Sequence, residues 1–350
     1  MLKLLNLEHV PDQQSMLVFH ALARLGFEGL VVVSPRIPLA SIGYFQDAAK
    51  EVDLRYCKNA NIPVMRREVG GGATYLDENQ IFYQCIWKKG NPNFPRKIKD
   101  VFSELSEPAI ATYGDFGIKT MFRPENDIIT TDKRKIAGEG GGDIGESMVF
   151  VGGILMDFDY GTMSKILKVP DEKFRDKVYK SMEENLTTMK REIGHMPNRD
   201  EVVKSLVNNF ENKVGKFKEI TLDKTTIDKM IELERYFTSH EFLFKKTPRI
   251  PKGVKIREGV EILYSMYKAR GGLIRTAQEI KENMIETIDI SGDFQFYPKS
   301  ELTGLEKELI KTKRKERVII DKVEDFYEKN EIESPGVEPE DVTEAIMEAK

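Results

Sequence analysis

The sequence predicts an α+β fold in two domains, a larger N-terminal one and a smaller one that runs strands first and helix after. Three observations carry this. Short β-branched or aromatic runs such as 29–34 and 81–87 are separated by glycine-rich turns through the first half. From Glu172 the period becomes helical, over roughly 172–193, 199–213 and 225–237. Thr247-Pro248-Arg249-Ile250-Pro251-Lys252-Gly253 then punctuates the chain with two prolines and a glycine, and strands return beyond it. The division expected is 1–246, a linker 247–253, and 254–350.

Taken in order, residues 12–25 place apolar groups at helical spacing, and 29–34 reads as a buried strand. Residues 62–69 and 81–87 follow as strands with a glycine turn between them, and 97–106 is helical. Short strands are expected over 117–122, 127–131 and 134–137, with Asp132-Lys133 as a tight hairpin turn. Residues 147–157 form a strand that is kinked or closely approached at Gly152 and Gly153. After the linker, strands are expected at about 254–268, 272–282 and 285–292. Residues 304–330 read as one long charged helix with its stripe at Leu305, Leu309, Ile319, Val323 and Phe326. Pro335-Gly336 precedes a last short helix.

Composition narrows the class of function. The 350 residues are 40% hydrophobic and 32% charged, the balance of a globular chain, long enough for two cores. The net charge of −4 comes from 54 bases against 58 acids, so no global field is expected to draw nucleic acid or a membrane surface. Charge enters too early after Met1 for a signal peptide, and no apolar run reaches bilayer length, so a cytoplasmic location is expected. Cys57 and Cys85 have no metal-ligand spacing, which argues against a disulfide framework or a zinc site.

Four places carry chemistry. Gly70, Gly71 and Gly72 let backbone amides approach a ligand closely and form an anion-binding concavity, with the Arg67 fork just upstream. A plain hairpin turn with a solvated arginine is the competing reading. In Lys133-Arg134-Lys135, strand alternation sends Lys135 into a cleft while Arg134 faces water and Lys133 stays in the turn; a solvated basic turn is the alternative. Residues 138–145 look too glycine-dense for a strand and too polar for core, and suit a mobile flap or a long hairpin loop. They lack the lysine and hydroxyl of a P-loop. Asn126-Asp127 precedes a strand as a ribose, metal or adenine contact, or as a turn-forming pair. No residue is assigned to a metal, and the four histidines form no catalytic arrangement with serine and aspartate.

The joint pattern is more specific than its parts. Arg66-Arg67-x-x-Gly70-Gly71-Gly72-Ala73-x-Tyr75-x-Asp77, then Asn126-Asp127, then Lys135-Ile136-Ala137-Gly138 resemble the lipoate–protein ligase catalytic domain in order and spacing. Residues 271–275 and 288–294 resemble the accessory domain of the same ligases. The resemblance implies mixed, largely antiparallel sheets packed with helices, related to biotin–protein ligases, plus a small α+β accessory domain. It implies ATP with Mg²⁺, lipoate as substrate, a lipoyl-AMP intermediate, and transfer to a lysine of an acceptor lipoyl domain. Such acceptors are 2-oxoacid dehydrogenase acyltransferase subunits, glycine cleavage H protein or similar. By position Arg67, Gly70, Gly71, Gly72, Ala73, Thr74, Tyr75, Asn126, Asp127 and Gly138 would serve nucleotide binding. Lys135 would serve both binding and catalysis.

Two positions depart from the pattern. Leu76 and Gly152 stand where the family often has histidine, which bears on acyl-chain and acceptor specificity. Octanoyl and lipoyl transferases of the same superfamily resemble the chain too, but need a nucleophilic cysteine near the lysine-bearing region, and Cys57 and Cys85 both precede Lys135. A non-catalytic binder of a lipoyl domain or adenylate is the third reading.

Overall fold

A computed structural model describes residues 1–11, 13–248 and 259–350. In chain order the first half runs β1 (Leu2–Val10), α1 (Gln14–Arg24), β2 (Gly29–Pro35), β3 (Leu39–Ile42), α2 (Ala48–Glu51), α3 (Leu54–Asn59), β4 (Val64–Arg66), β5 (Thr74–Leu76) and β6 (Gln80–Lys88). It continues with α4 (Ile98–Leu105), α5 (Glu107–Asp115), β7 (Thr120–Arg123), β8 (Asp127–Thr130), β9 (Lys135–Ile144) and β10 (Ser147–Leu155). Next come α6 (Tyr160–Ile166), α7 (Glu172–Asn185), α8 (Met189–Ile193), α9 (Arg199–Val214), β11 (Phe217–Glu219), α10 (Lys224–Phe237) and α11 (His240–Leu243). The last part holds β12 (Val260–Ala269), β13 (Gly272–Lys281), β14 (Met284–Gly292), α12 (Glu301–Leu309), α13 (Glu316–Lys329) and α14 (Pro339–Met347).

An eight-stranded mixed sheet in the order β11-β1-β2-β6-β10-β9-β8-β7 is the centre of the molecule. β1 pairs in parallel with β2 and β11, and the remaining neighbours are antiparallel. Both faces are covered, which is why 29–34 is continuously apolar: Leu30 and Val32 enter one core, Val31 and Val33 the other. α4, α5 and α9 pack on the first face, through Phe102, Tyr113 and Phe210. α1 and α10 pack on the second, through Phe19 and Phe237. A small sheet β4-β3-β5 carries the glycine turn between β4 and β5.

β12-β13-β14 form an antiparallel meander, with α12, α13 and α14 sharing its core through Leu305, Ile319 and Ile346. This C-terminal unit is tied to the rest by ion pairs Arg275–Glu51, Lys246–Glu306 (2.7 Å) and Lys299–Glu68 (3.3 Å). Phe45 stacks on Phe294 with ring centroids 5.3 Å apart. Most of the expected linker 247–253, and the start of the strand expected from 254, lie outside the described residues.

Several sequence expectations are corrected. Residues 138–144 are no flap: they belong to β9, an interior strand with Gly140, Gly141 and Gly142 buried. Glycine serves close approach here, since a Cβ at Gly142 would sit 3.0 Å from Glu68 O and one at Gly141 3.1 Å from Tyr297 Oη. The long helix expected over 304–330 is two, α12 and α13, parted at Ile310 and by a left-handed Lys311 (φ 61°). The helix over 172–193 is likewise two, because Leu186 turns extended and Thr188 caps α8 by accepting from Arg191 N. Of the strand expected over 62–69 the structure has Val64–Arg66, and part of the supposed turn is β5. β1, β3, β11, α2, α3, α5, α6 and α11 were not anticipated.

Candidate functional site

The glycine turn, the start of β9, the end of β10 and helices α6 and α7 enclose a cavity of about 510 Å³. One side is polar: Arg67, Gly71, Gly72, Arg123, Asn126, Lys133 and Lys135 line it. The other is apolar, with Met16 and Phe19 from α1, Phe82 from β6 and Val151 from β10. Phe158, Met163, Met182 and Leu186 wall the end beneath α6 and α7. α7 buries none of its own residues, and lies over the cavity as a surface helix.

Among the residues singled out from the sequence, Arg67, Gly71, Gly72, Ala73, Thr74, Tyr75, Asn126, Lys135 and Gly138 line this one cavity. Gly70 and Asp127 stand behind the lining. Arg67 is buried, and burial lowers its guanidinium to about 10. It donates to Gly70 O and Gly72 O, both at 2.8 Å, and to Ser41 O at 3.2 Å, so it clamps the glycine turn from within. Gly71, at φ 88°, takes a conformation that disfavours side chains, and its N–H donates to Phe294 O of the C-terminal unit at 3.3 Å.

Lys135 lines the cavity with its side chain 39% exposed, and Nζ is 2.6 Å from Asp127 Oδ1. Burial pushes the Asp127 carboxyl up, and Lys135 with Arg123 more than offsets this, leaving it below the usual carboxylate range. A register shift between Ile128 and Ile129 puts Lys135 and Gly138 on the same side of β9. Asn126 is structural toward the strand: its Nδ2 donates to Glu139 O at 2.7 Å, and Glu139 N donates back to Asn126 O at 2.9 Å. Arg134 turns outward to Glu192 at 3.0 Å, while Lys133, expected only in the turn, also reaches the lining.

Sequence reading missed Glu139. It borders the cavity and is buried, and burial raises its carboxyl to about 8 against the bonds it shares with Ser106 and Tyr83. Tyr83 Oη donates to Oε1 at 2.6 Å, crossing over Gly152. A Cβ at Gly152 would fall 2.2 Å from that hydroxyl. The position where histidine is common in the pattern is therefore filled by a tyrosine from the next strand. Arg123 and the α7 residues were also missed, because no local pattern marks a surface helix as a cavity wall. Both cysteines are buried; burial raises Cys57 to about 11 and pushes Cys85 up as well.

A family model described as the lipoyl protein ligase A/B catalytic domain matches residues 28–211. Lipoate-protein ligase A subunit 1 of Thermoplasma acidophilum is 31% identical over 157 residues, 42% of this chain and 58% of that protein. The chain thus spans less than two thirds of that relative's length. Lipoate-protein ligase LplJ of Bacillus subtilis is 25% identical over 292 residues, 82% of each chain. Octanoyltransferase LipM of Staphylococcus epidermidis is 24% identical over 233 residues, 59% of this chain and 83% of its own.

Among solved structures, a bipartite lipoate protein ligase from T. acidophilum, described together with its E2 lipoyl domain, superposes with a TM-score of 0.62 at 26% identity. That match covers 72% of this chain and 99% of the other. LipL1 of P. falciparum in complex with lipoate gives 0.67 at 15% identity over 93% and 94%, a likeness of fold that extends through the C-terminal unit. By the family match over more than half its length, this chain belongs to the lipoyl protein ligase A/B catalytic-domain family.

Proposed function

We propose that the chain activates lipoate with ATP and transfers the lipoyl group to a lysine of an acceptor lipoyl domain. The observation that carries this is one cavity with a cationic, glycine-lined side at Lys135 and Gly71–Gly72 and an apolar side under α1. An adenylate of a fatty acyl group is charged at one end and greasy at the other, so one continuous cavity of that kind suits it. The lipoate carboxylate would attack the α-phosphorus of ATP, forming the mixed anhydride and expelling pyrophosphate. The acceptor amine would then attack the acyl carbon, and AMP would leave. Lys135 would stabilise the oxyanion at phosphorus and later at carbon.

Arg67, Gly70, Gly71, Gly72, Ala73, Thr74 and Tyr75 are proposed to hold the nucleotide, with Asn126, Asp127 and Gly138 shaping the wall that carries Lys135. Arg67 also braces the turn, its guanidinium donating to the carbonyls of Gly70 and Gly72. Mg²⁺ would accompany the phosphates. Among the described residues no cluster of three or more His, Cys, Asp or Glu offers a protein-made metal site. Mg²⁺ held mainly by phosphates and water needs one or two carboxylates, and Asp127 is the candidate. The C-terminal unit, proposed as the accessory domain beyond the 247–253 linker, bears on activation because Phe294 O occupies the Gly71 N–H. Lipoate-dependent exchange of labelled pyrophosphate into ATP tests the first half-reaction, and its absence with intact protein would refute it.

The LipM relative favours a second reading, an acyl transfer through a cysteine thioester. Against it stand Cys57 and Cys85, both buried and both held as thiols by burial.

A further inference from the structure

Gln84 is a polar side chain on the apolar side of the cavity, and the bonds shown leave half of it unmatched. It lies on β6 opposite Val151 of β10, on the same strand face as Phe82. The residue is 2% exposed, and its Nε2 donates to Ser15 O of α1 at 2.7 Å. A main-chain carbonyl only accepts, so that bond fixes which end of the amide faces α1. Oε1 is buried with no hydrogen-bond partner among the described residues. Its neighbours in the lining, Met16, Phe19, Phe82 and Val151, carry no side-chain donor: three are hydrocarbons, and the thioether of Met16 only accepts. The place is also far from the reacting end: five residues along β9 and two strands across separate Lys135 from Gln84, roughly 15–20 Å between backbones.

A buried acceptor without a donor is unfavourable until a ligand supplies one. The cyclic disulfide of lipoate offers no donor there, and neither does the methyl end of octanoate. The two thiols of dihydrolipoate do, as weak S–H donors. Building on the ligase reading, we propose that Gln84 Oε1 sets the distal end of the acyl subsite and selects the reduced, dithiol form of the acid. Gln84 is here a specificity-determining residue, remote from the bonds that form and break.

The test is titration calorimetry of the full chain with dihydrolipoate under argon, lipoate and octanoate, without ATP, for the native protein and Gln84→Met. The native protein binds dihydrolipoate about tenfold more tightly than either other acid. In Gln84→Met that preference disappears, because the apolar acids gain. Equal binding of the three acids by the native protein overturns the proposal, as does a preference that survives in Gln84→Met. If the variant does not fold, the native comparison alone decides. Pyrophosphate exchange run in parallel separates the two claims. Exchange without acid preference sinks the subsite and leaves the ligase, whereas preference without exchange sinks the ligase and leaves the subsite.

Discussion

Lys135 Nζ is held 2.6 Å from Asp127 Oδ1, and it lies over Gly138, where a Cβ would come within 2.9 Å of the same nitrogen. That relationship accounts for the spacing Lys135-Ile136-Ala137-Gly138. The bulge in β9 returns residue 138 to the lysine's side, and a glycine there leaves the amine room to fold toward its carboxylate. The carboxylate orients the amine in the cavity wall, where an anionic ligand would meet it.

Replacing Lys135 with alanine is expected to lower the rate of adenylate formation by about 10²–10³, the loss of one preorganised charge. Because the pair is partly exposed, the denaturation midpoint should hardly move. Single-turnover formation of lipoyl-AMP checks the first statement and a urea titration the second. A variant as fast as the native protein removes Lys135 from the mechanism.

Gly152→Ala should be destabilising by about 2 kcal/mol, since the methyl would collide with Tyr83 across the strand. Tyr83 is completely buried, and its hydroxyl is tied to Glu139. Chemical denaturation measures this, and an unchanged midpoint would show that the tyrosine is not seated over the glycine.

Glu139 supplies a pH dependence. Ser106 Oγ lies within bonding reach of both Phe102 O and Glu139 Oε2, and one hydroxyl proton cannot serve both. A protonated Glu139 resolves this by donating to Ser106. With its carboxyl raised to about 8 in the fold against 4.5 as the ordinary value, the unfolded chain gives up this proton first. Stability from this group is therefore complete below about pH 4.5 and lost as pH rises toward 8. Glu139→Gln should gain on the native protein between pH 5 and pH 8, read from denaturation midpoints at the two values. An equal difference at both would show an ordinary carboxylate.

Lys246 and Glu306 form a buried pair between the two parts of the chain, 2.7 Å apart, and Glu306 also accepts from Ile290 N at 2.8 Å. Lys246→Met strands the carboxylate and should cost about 3 kcal/mol. Adding Glu306→Gln should recover much of it, a coupling that a double-mutant cycle in urea would reveal or exclude.

The strands at 29–34 and 81–87 were legible because periodicity and β-branching are local properties, and both are buried on two faces or alternate cleanly. The lysine and the glycine turn were legible as a pair of motifs in the right order. What sequence could not yield was long-range. Residues 138–144 look like a loop until Glu68, Val69 and Tyr297 are seen pressed against their backbone. The break between α12 and α13 hides in Ile310 and Lys311, neither a recognised stop signal. Glu139 reads as a surface acid by type, and only Tyr83 and Ser106, 56 and 33 residues away, give it a buried place. Arg67 was read as a ligand fork, and sequence gave no sign that its guanidinium would also brace the turn through Gly70 O and Gly72 O.

The central claim is ATP-dependent lipoylation. The most direct measurement is the mass of a purified lipoyl domain after incubation with the full chain, lipoate and Mg²⁺, with and without ATP. A lipoyl mass increment that requires ATP is the result expected. No increment with ATP, together with transfer from an octanoyl or lipoyl carrier in its absence, would contradict the account and make the protein an acyltransferase.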